Sequence, residues 1–456
     1  MMHIETSPAF YKKLIRIALP VALQNIIMIG VNLVDTIMLG ALGETALSAS
    51  SQANQFISLF MFMCMGIGMG TSVMTGRFWG AKDMVSLKKV VGIAYRVGLV
   101  LALIFTVINI AIPVPVMHLF SKEEPVIYAG ADYLRWSTIT YVLMVLSTVS
   151  SNVLRSVGVN HMSFIASLCS FGVNIGANYL FIFGKCGCPE MGVAGAALGT
   201  MIARVFEVGI ICVYFFCIDK RLRFRIKDIF APCADMLKEF LRISIPVVLS
   251  DSLLGLGSSM LAVIMGRIGS QFVAANAIAN VVQRISTFFL IGIAHASCIM
   301  ISQTLGEQKI DEAKKHGETF VFLGAAIGLV AAGVIMLIKA PVINAYNITE
   351  DTKQIAFELM NAISIIVFFR SANMILTKGV LRGGGDTKFL VYADTSMMWL
   401  IAIPLGALAG LYLNLRPFWV YICLFSDQII KTVWCVFRLK SGKWIQKIRG
   451  VQEQNT

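Results

Sequence analysis

Residues 13–40 read KLIRIALPVALQNIIMIGVNLVDTIMLG, an apolar run broken near its far end by a single carboxylate, Asp35. The run is long enough to cross a bilayer as a helix. An acid well inside such a span costs about 2.5–3.5 kcal/mol on insertion scales, and intramembrane ionisable residues mark ion and substrate pathways. Asn25, Met28, Asn32 and Asp35 lie three, four and three residues apart, so they share one helical stripe. The acid is therefore predicted to sit among amides on a face turned away from lipid. Pro20 interrupts the backbone hydrogen bonding early in the run and is a predicted hinge.

The rest of the chain has the composition of a membrane protein. Of 456 residues 57% are hydrophobic and only 14% charged, with a mean hydropathy of +0.79. That excludes an ordinary soluble enzyme. No cleavable signal peptide is expected, because the first apolar segment is too long, carries polar residues and leads into more spans. The net charge of +13 does not point to nucleic acid, since the basic residues cluster at the ends of apolar runs. Their bias places both termini in the cytoplasm of a multi-pass plasma-membrane protein, bacterial inner membrane by type. The densest cluster, Lys220, Arg221, Arg223, Arg225 and Lys227, faces anionic headgroups between two halves of the chain. Ten cysteines are scattered without metal-ligand spacing, and the Cys186-Gly187-Cys188 thiols are expected to be free.

Taken in order, a second span covers about 51–75 and is rich in Met and Gly; Met61 and Met65 are its candidates for an adaptable cavity wall. Gly76 to Asp83, GRFWGAKD, reads as a polar, basic cytoplasmic loop. Spans over about 90–114 and 126–153 follow. The fifth, about 163–183, carries Asn174 and Asn178 four residues apart on one face, either as interhelical glue or as part of a polar cavity shared with Asp35. The sixth, about 193–218, pairs Arg204 with Glu207 in a mainly structural contact.

The chain then starts again. Subtracting 226 from Arg242, Pro246, Gly266, Gly269, Asn280, Gly292, Met300 and Gly306 returns Arg16, Pro20, Gly40, Gly43, Asn54, Gly66, Met74 and Gly80. With an offset of 227, Leu381-Arg382 falls on Leu154-Arg155. This is an internal duplication of six spans per copy. An even number keeps both copies in the same orientation, related by a pseudo-two-fold along the membrane normal. The expected fold is an all-α polytopic membrane protein of twelve transmembrane helices in two six-helix bundles. Its N-lobe spans 1–218, a cytoplasmic basic linker 219–237, the C-lobe 238–440 and a cytoplasmic tail 441–456.

The second copy does not repeat Asp35; Leu261 takes its place. It has its own intramembrane charges, Asp251, Arg284, Arg370, Asp394, Asp427 and Lys431, of which Asp427 and Lys431 are spaced to pair. Opposite signs in one lobe suggest mutual neutralisation, with Asp251 and Asp427 as the coupling candidates.

These residues together resemble the multidrug and toxic compound extrusion (MATE) transporters over the whole chain. The likeness rests on Val31-Asn32-Leu33-Val34-Asp35-Thr36 with Gly40, on the stretch from Gly66 to Asp83, and on Asn174 with Asn178. In the second half it rests on Leu381-Arg382-Gly383 with Asp386-Thr387, and on Ile403-Pro404-Leu405. The resemblance implies a cation-coupled antiporter that exports amphipathic, often cationic small molecules by alternating access. Asp35 would be the cation-coupling carboxylate, Asn32, Asn174 and Asn178 its polar neighbours, and Asn25, Met28, Met61 and Met65 the wall of the substrate cavity.

Members that couple through the C-lobe carry acids in helices 7 and 10, where this chain has Gly255 and Ser371-Ala372. Asp251, one turn before Gly255, is the candidate substitute. The likeness is therefore to the N-lobe-coupled branches, including the DNA-damage-inducible type. No cofactor is implied; the coupling ion is H⁺ or Na⁺, and Asp35 is a metal ligand only in the Na⁺ case. The expected partners are organic cations and the lipid bilayer, with no nucleic acid, and the protein is expected to be monomeric. The alternative is a lipid-linked oligosaccharide flippase of the same fold superfamily, which would want several cavity arginines. An enzyme would need a nucleophile with a base or a metal cluster, and the five histidines show no such spacing.

Overall fold

The computed structural model describes residues 4–346 and 348–447; the end of the predicted 441–456 tail lies outside them. Every regular element among the described residues is helical. Among the described residues ten helices are long and apolar enough to cross a membrane, and two bent pairs bring the number to twelve when each pair is taken as one span. We number these α1 (Pro8–Gly40), α2 (Glu44–Gly80), α3 (Met84–Ala111), α4 (Glu124–Trp136 with Thr140–Ser156), α5 (His161–Phe183) and α6 (Gly192–Val213). The second half supplies α7 (Ala234–Ile268), α8 (Ser270–Gly306), α9 (Ile310–Ala345), α10 (Glu350–Met374), α11 (Thr387–Tyr412) and α12 (Pro417–Leu424 with Ser426–Lys440). The bends in α4 and α12 are 53° and 43°. Large apolar side chains such as Leu329, Val330 and Leu337 on α9 stay exposed, as a lipid-facing surface requires.

One sequence expectation is corrected here. Gly76–Gly80 is not a loop but the end of α2. Gly76, Arg77 and Phe78 are buried, so the helix keeps its backbone paired until it leaves the core. The turn is confined to Ala81–Asp83. Lys82 takes a left-handed conformation at φ 58°, and the Asp83 carboxylate then caps α3 by accepting from the Val85 and Ser86 amides.

The duplication is written in the backbone as well as in the residues. Lys82 has its counterpart in Gln308, 226 residues on, at φ 60°. Gly43 and Gly269, at the same offset, precede α2 and α8 with φ of 109° and 154°. Gly158 and Gly385, offset by 227, share φ 85°. Such positive φ values favour glycine because it has no Cβ to clash. Helix contacts repeat too. A Cβ on Gly66 would lie 2.6 Å from Val248 Cγ2, and one on Gly292 would lie 3.2 Å from the Ala22 methyl, again 226 residues apart on both helices.

The chain forms two compact units, residues 23–248 and residues 1–22 with 249–456. The start of α1 therefore belongs with the second-half helices. Phe10, Leu14, Ile17 and Ala18 are buried in one core with Ile299, Phe320, Leu381 and Trp444. The start of α7 belongs with the first half, where Ser244 and Val248 meet the glycines of α2. Both transfers fall two residues after a helix-internal proline, Pro20 in α1 and Pro246 in α7. The 219–237 linker lies wholly inside the 23–248 unit and is held there. Arg96 of α3 donates to the Ile229 and Ala231 carbonyls, and Lys88 pairs with Asp228 at 3.2 Å. Although burial works to raise it, the Arg225 amide and Lys88 hold the Asp228 carboxyl below its usual range.

Candidate functional site

Asp35 lies toward the far end of α1, half-buried, and its Oδ1 accepts from Asn178 Nδ2 of α5 at 2.5 Å. Asn178 also donates to Asn174 Oδ1 at 3.4 Å. Asn174 and Asn178 are buried, and Asn174 Nδ2 and Asn178 Oδ1 find no protein partner. Helical spacing puts both amides on one face of α5, and Gly199 of α6 provides the room: a Cβ there would strike the Asn178 oxygen. The acid thus meets a chain of two amides and no base within hydrogen-bonding reach, with one donor and one acceptor left over.

Asp35 opens onto a cavity of about 630 Å³ lined wholly by residues of the 23–248 unit. The α1 residues on its wall include Gln24, Met28, Val31, Asn32, Asp35 and Leu39. The stripe predicted from the sequence is right from Met28 to Asp35 but begins one residue off. Gln24 lines the cavity; Asn25, about 100° away around the helix, does not. Met61 lines it and Met65 does not, although Met65 is exposed elsewhere on α2. Pro20 lies below this stretch, inside the unbroken helix.

Several wall residues were not singled out from the sequence. Gln24 is fixed from both ends, donating to Ser167 Oγ at 2.8 Å and accepting from the buried Arg155 at 2.5 Å. Asn54 donates to the Tyr133 hydroxyl at 3.4 Å. Arg204 and Glu207 pair as their spacing predicts, at 2.6 Å, and Glu207 also accepts from Ser147 at 3.1 Å. Both stand on the cavity wall, so their contact is part of the site. The signal in the sequence is a charge pair inside a span, which by spacing alone reads as mainly structural. With Arg204 answered by Glu207, Asp35 is the wall's uncompensated charge. The remaining wall mixes hydroxyls and amides with Met28, Met61, Met144 and Leu39, a surface for a cation with an apolar body.

The charges of the other unit are arranged differently. Asp251 takes both terminal nitrogens of Arg382, at 3.1 and 3.2 Å. Lys431 sits 2.9 Å from Asp394 and 3.8 Å from Asp427, so its shorter contact is not with the partner one turn away on its own helix. Asp394 also accepts from Ser250 at 2.5 Å. Arg370 is exposed and donates to Gln283 at 3.3 Å; Arg284 is exposed on α8. Thus Asp251 and Asp427 lie in a polar cluster with bases; Arg370 stands at its edge on the Asp427 side, and Arg284 is exposed elsewhere on α8.

The family model described as MatE matches residues 20–180 and 246–408, two stretches that begin 226 residues apart. The chain belongs to the MatE family. Members of this family are transporters, not enzymes, and this is a multi-pass membrane transporter. It is 24% identical over 416 residues to an uncharacterized transporter, YisQ, of Bacillus subtilis, covering 91% of this chain and 90% of that one. It is 25% identical over 450 residues to the probable multidrug resistance protein NorM of Thermotoga maritima, covering 96% and 94%. Among solved structures, a MATE in the straight conformation superposes with a TM-score of 0.85 at 19% identity, covering 96% of this chain and all of that one. An outward-facing multidrug resistance MATE family transporter gives 0.84 at 19% identity, covering 96% and 99%. These likenesses establish the two-lobed fold.

Proposed function

We propose that this MatE transporter exports amphipathic cations in exchange for H⁺ or Na⁺, and that Asp35 is the group for which cargo and coupling ion compete. The observation that carries the reading is a lone carboxylate held by two amides at the wall of a cavity of about 630 Å³. Charged, it attracts an organic cation whose apolar part lies against Met28, Met61 and Met144. Neutralised by a proton, or by Na⁺ shared with the Asn174 and Asn178 amides, it releases that cation. One H⁺ or Na⁺ exchanged for one monovalent cation moves no net charge, so the drive is the coupling ion's concentration gradient, about 1.4 kcal/mol for each tenfold ratio.

Coupling at Asp35 aligns the chain with the N-lobe-coupled branches, of which the DNA-damage-inducible type is one. It acts as a monomer in the plasma membrane with both termini in the cytoplasm. The flippase alternative is disfavoured by the wall itself, where Arg204 is the one basic side chain and is already engaged by Glu207. The test is uptake of ethidium by proteoliposomes under an imposed pH gradient and then a Na⁺ gradient. Asp35→Asn is expected to abolish gradient-driven uptake while the protein still folds and inserts. Full uptake by that variant would refute the assignment.

A further inference from the structure

The close ion pairs leave one intramembrane carboxylate outside them in each unit. In the first unit Arg204 takes Glu207 and leaves Asp35. In the second, Arg382 takes Asp251 and Lys431 takes Asp394, leaving Asp427. The two leftover acids are held alike. Asp427 Oδ2 accepts from Gln428 Nε2 at 2.5 Å, and Gln428 Oε1 in turn accepts from Asn373 Nδ2 of α10 at 2.8 Å. Like Asp35, Asn178 and Asn174 this is an acid, amide, amide chain, with its second bond running the other way, built on different helices and at positions the duplication does not relate.

The surroundings differ in a way that selects the ligand. Asp427 is 1% exposed and Asn373 3%. Asp427 Oδ1 and Asn373 Oδ1 are both buried acceptors without a partner. Two orphaned acceptors on one hydrogen-bonded chain call for a donor. The charged groups that face Asp427 are Lys431 on its own helix, Asp394 on α11 and Arg370 on α10. The Lys431 ammonium, 3.8 Å away and shared with Asp394, opposes a further metal cation. A proton on Asp427 would remove the cost of keeping a buried, charged carboxylate oxygen without a donor.

We propose that Asp427 is a second proton-carrying site of the transporter, at the head of the Gln428–Asn373 amide pair and separate from the substrate cavity. The proposal rests on ion-coupled transport by this chain. It adds one proton per cycle to whatever exchanges at Asp35.

The test uses the full-length protein in proteoliposomes with the potential clamped and a pH gradient of one unit, reading the final accumulation of ethidium. Each coupled proton contributes about a tenfold ratio. Asp427→Asn is expected to lower the ratio reached by wild type about tenfold; an unchanged ratio in Asp427→Asn would overturn the proposal. A second measurement does not need transport. Asp35→Asn protein is expected to keep an infrared carbonyl band of a protonated carboxyl that disappears on alkaline titration, and the band should be missing when Asp427→Asn is added. The same band in both proteins, or its loss on adding NaCl at constant pH, would sink the proton assignment. The Asp35 reading fails separately, through gradient-driven uptake that survives Asp35→Asn.

Discussion

The two units share a polar framework and use it to opposite ends. Gln24 touches Ser167 in the first, and Ser250 touches Asp394 in the second, at offsets of 226 and 227. Arg155 and Arg382 are duplicates, as are Arg204 and Lys431. In the first unit this framework surrounds an open space, so its surplus acid can meet a molecule. In the second the same positions hold acids and bases in direct contact. Duplication supplied one scaffold, and substitution at a few nodes made one copy a cavity wall and the other a charge cluster.

The contrast can be broken most sharply at the acids. Asp35→Asn should lose export entirely, whereas Asp427→Asn should keep export with weaker coupling; equal losses in ethidium uptake would mean that the two units are not specialised. The next largest effect is expected at the duplicated bases. Lys431→Met strands Asp394 and Asp427 in a buried setting and should cost about 3–5 kcal/mol. Arg204→Met leaves Glu207 beside the cavity, where water can answer it, and should cost less. Thermal unfolding in detergent would rank the pair, and an equal cost would deny the distinction between a cavity-facing and a buried ion pair.

Smaller effects test what the units have in common. Gly66→Leu and Gly292→Leu force side chains into duplicated close approaches and should each destabilise by about 1–3 kcal/mol, measured by the same unfolding assay. A large cost in only one would show that the duplicated packing is not equivalent. Last, Glu207→Gln frees the Arg204 charge to oppose a bound cation. Apparent ethidium affinity should fall about tenfold, equivalent to about 1.4 kcal/mol, with little change in stability.

Much of this was legible in the sequence because membranes make polar residues conspicuous. Asp35, Asn174 and Asn178 stood out as polar groups in apolar runs, and the structure joins them at 2.5 and 3.4 Å. The duplication fixed the span count without any packing information. What escaped notice depended on angle and distance between helices. Gln24 and Asn25 are neighbours of similar polarity, and only the rotation of α1 decides which lines the cavity. Lys431 has an acid one turn away, yet α11 brings another closer. The Gly76–Gly80 stretch reads as a loop by its polarity, because burial of Arg77 and Phe78 is a tertiary fact.

The chain passes between its units at only two places, residues 22–23 and 248–249, each inside a helix and just beyond a proline. The ancestral seam between the repeats, in the 219–237 linker, is therefore not the boundary between the folded bodies. Severing the linker would yield fragments that each lack a piece of their own unit and carry a piece of the other's. Synthesised alone, either half would be left with an uncovered groove where the other's helix segment belongs. Made together, the halves would complete one another without a covalent join.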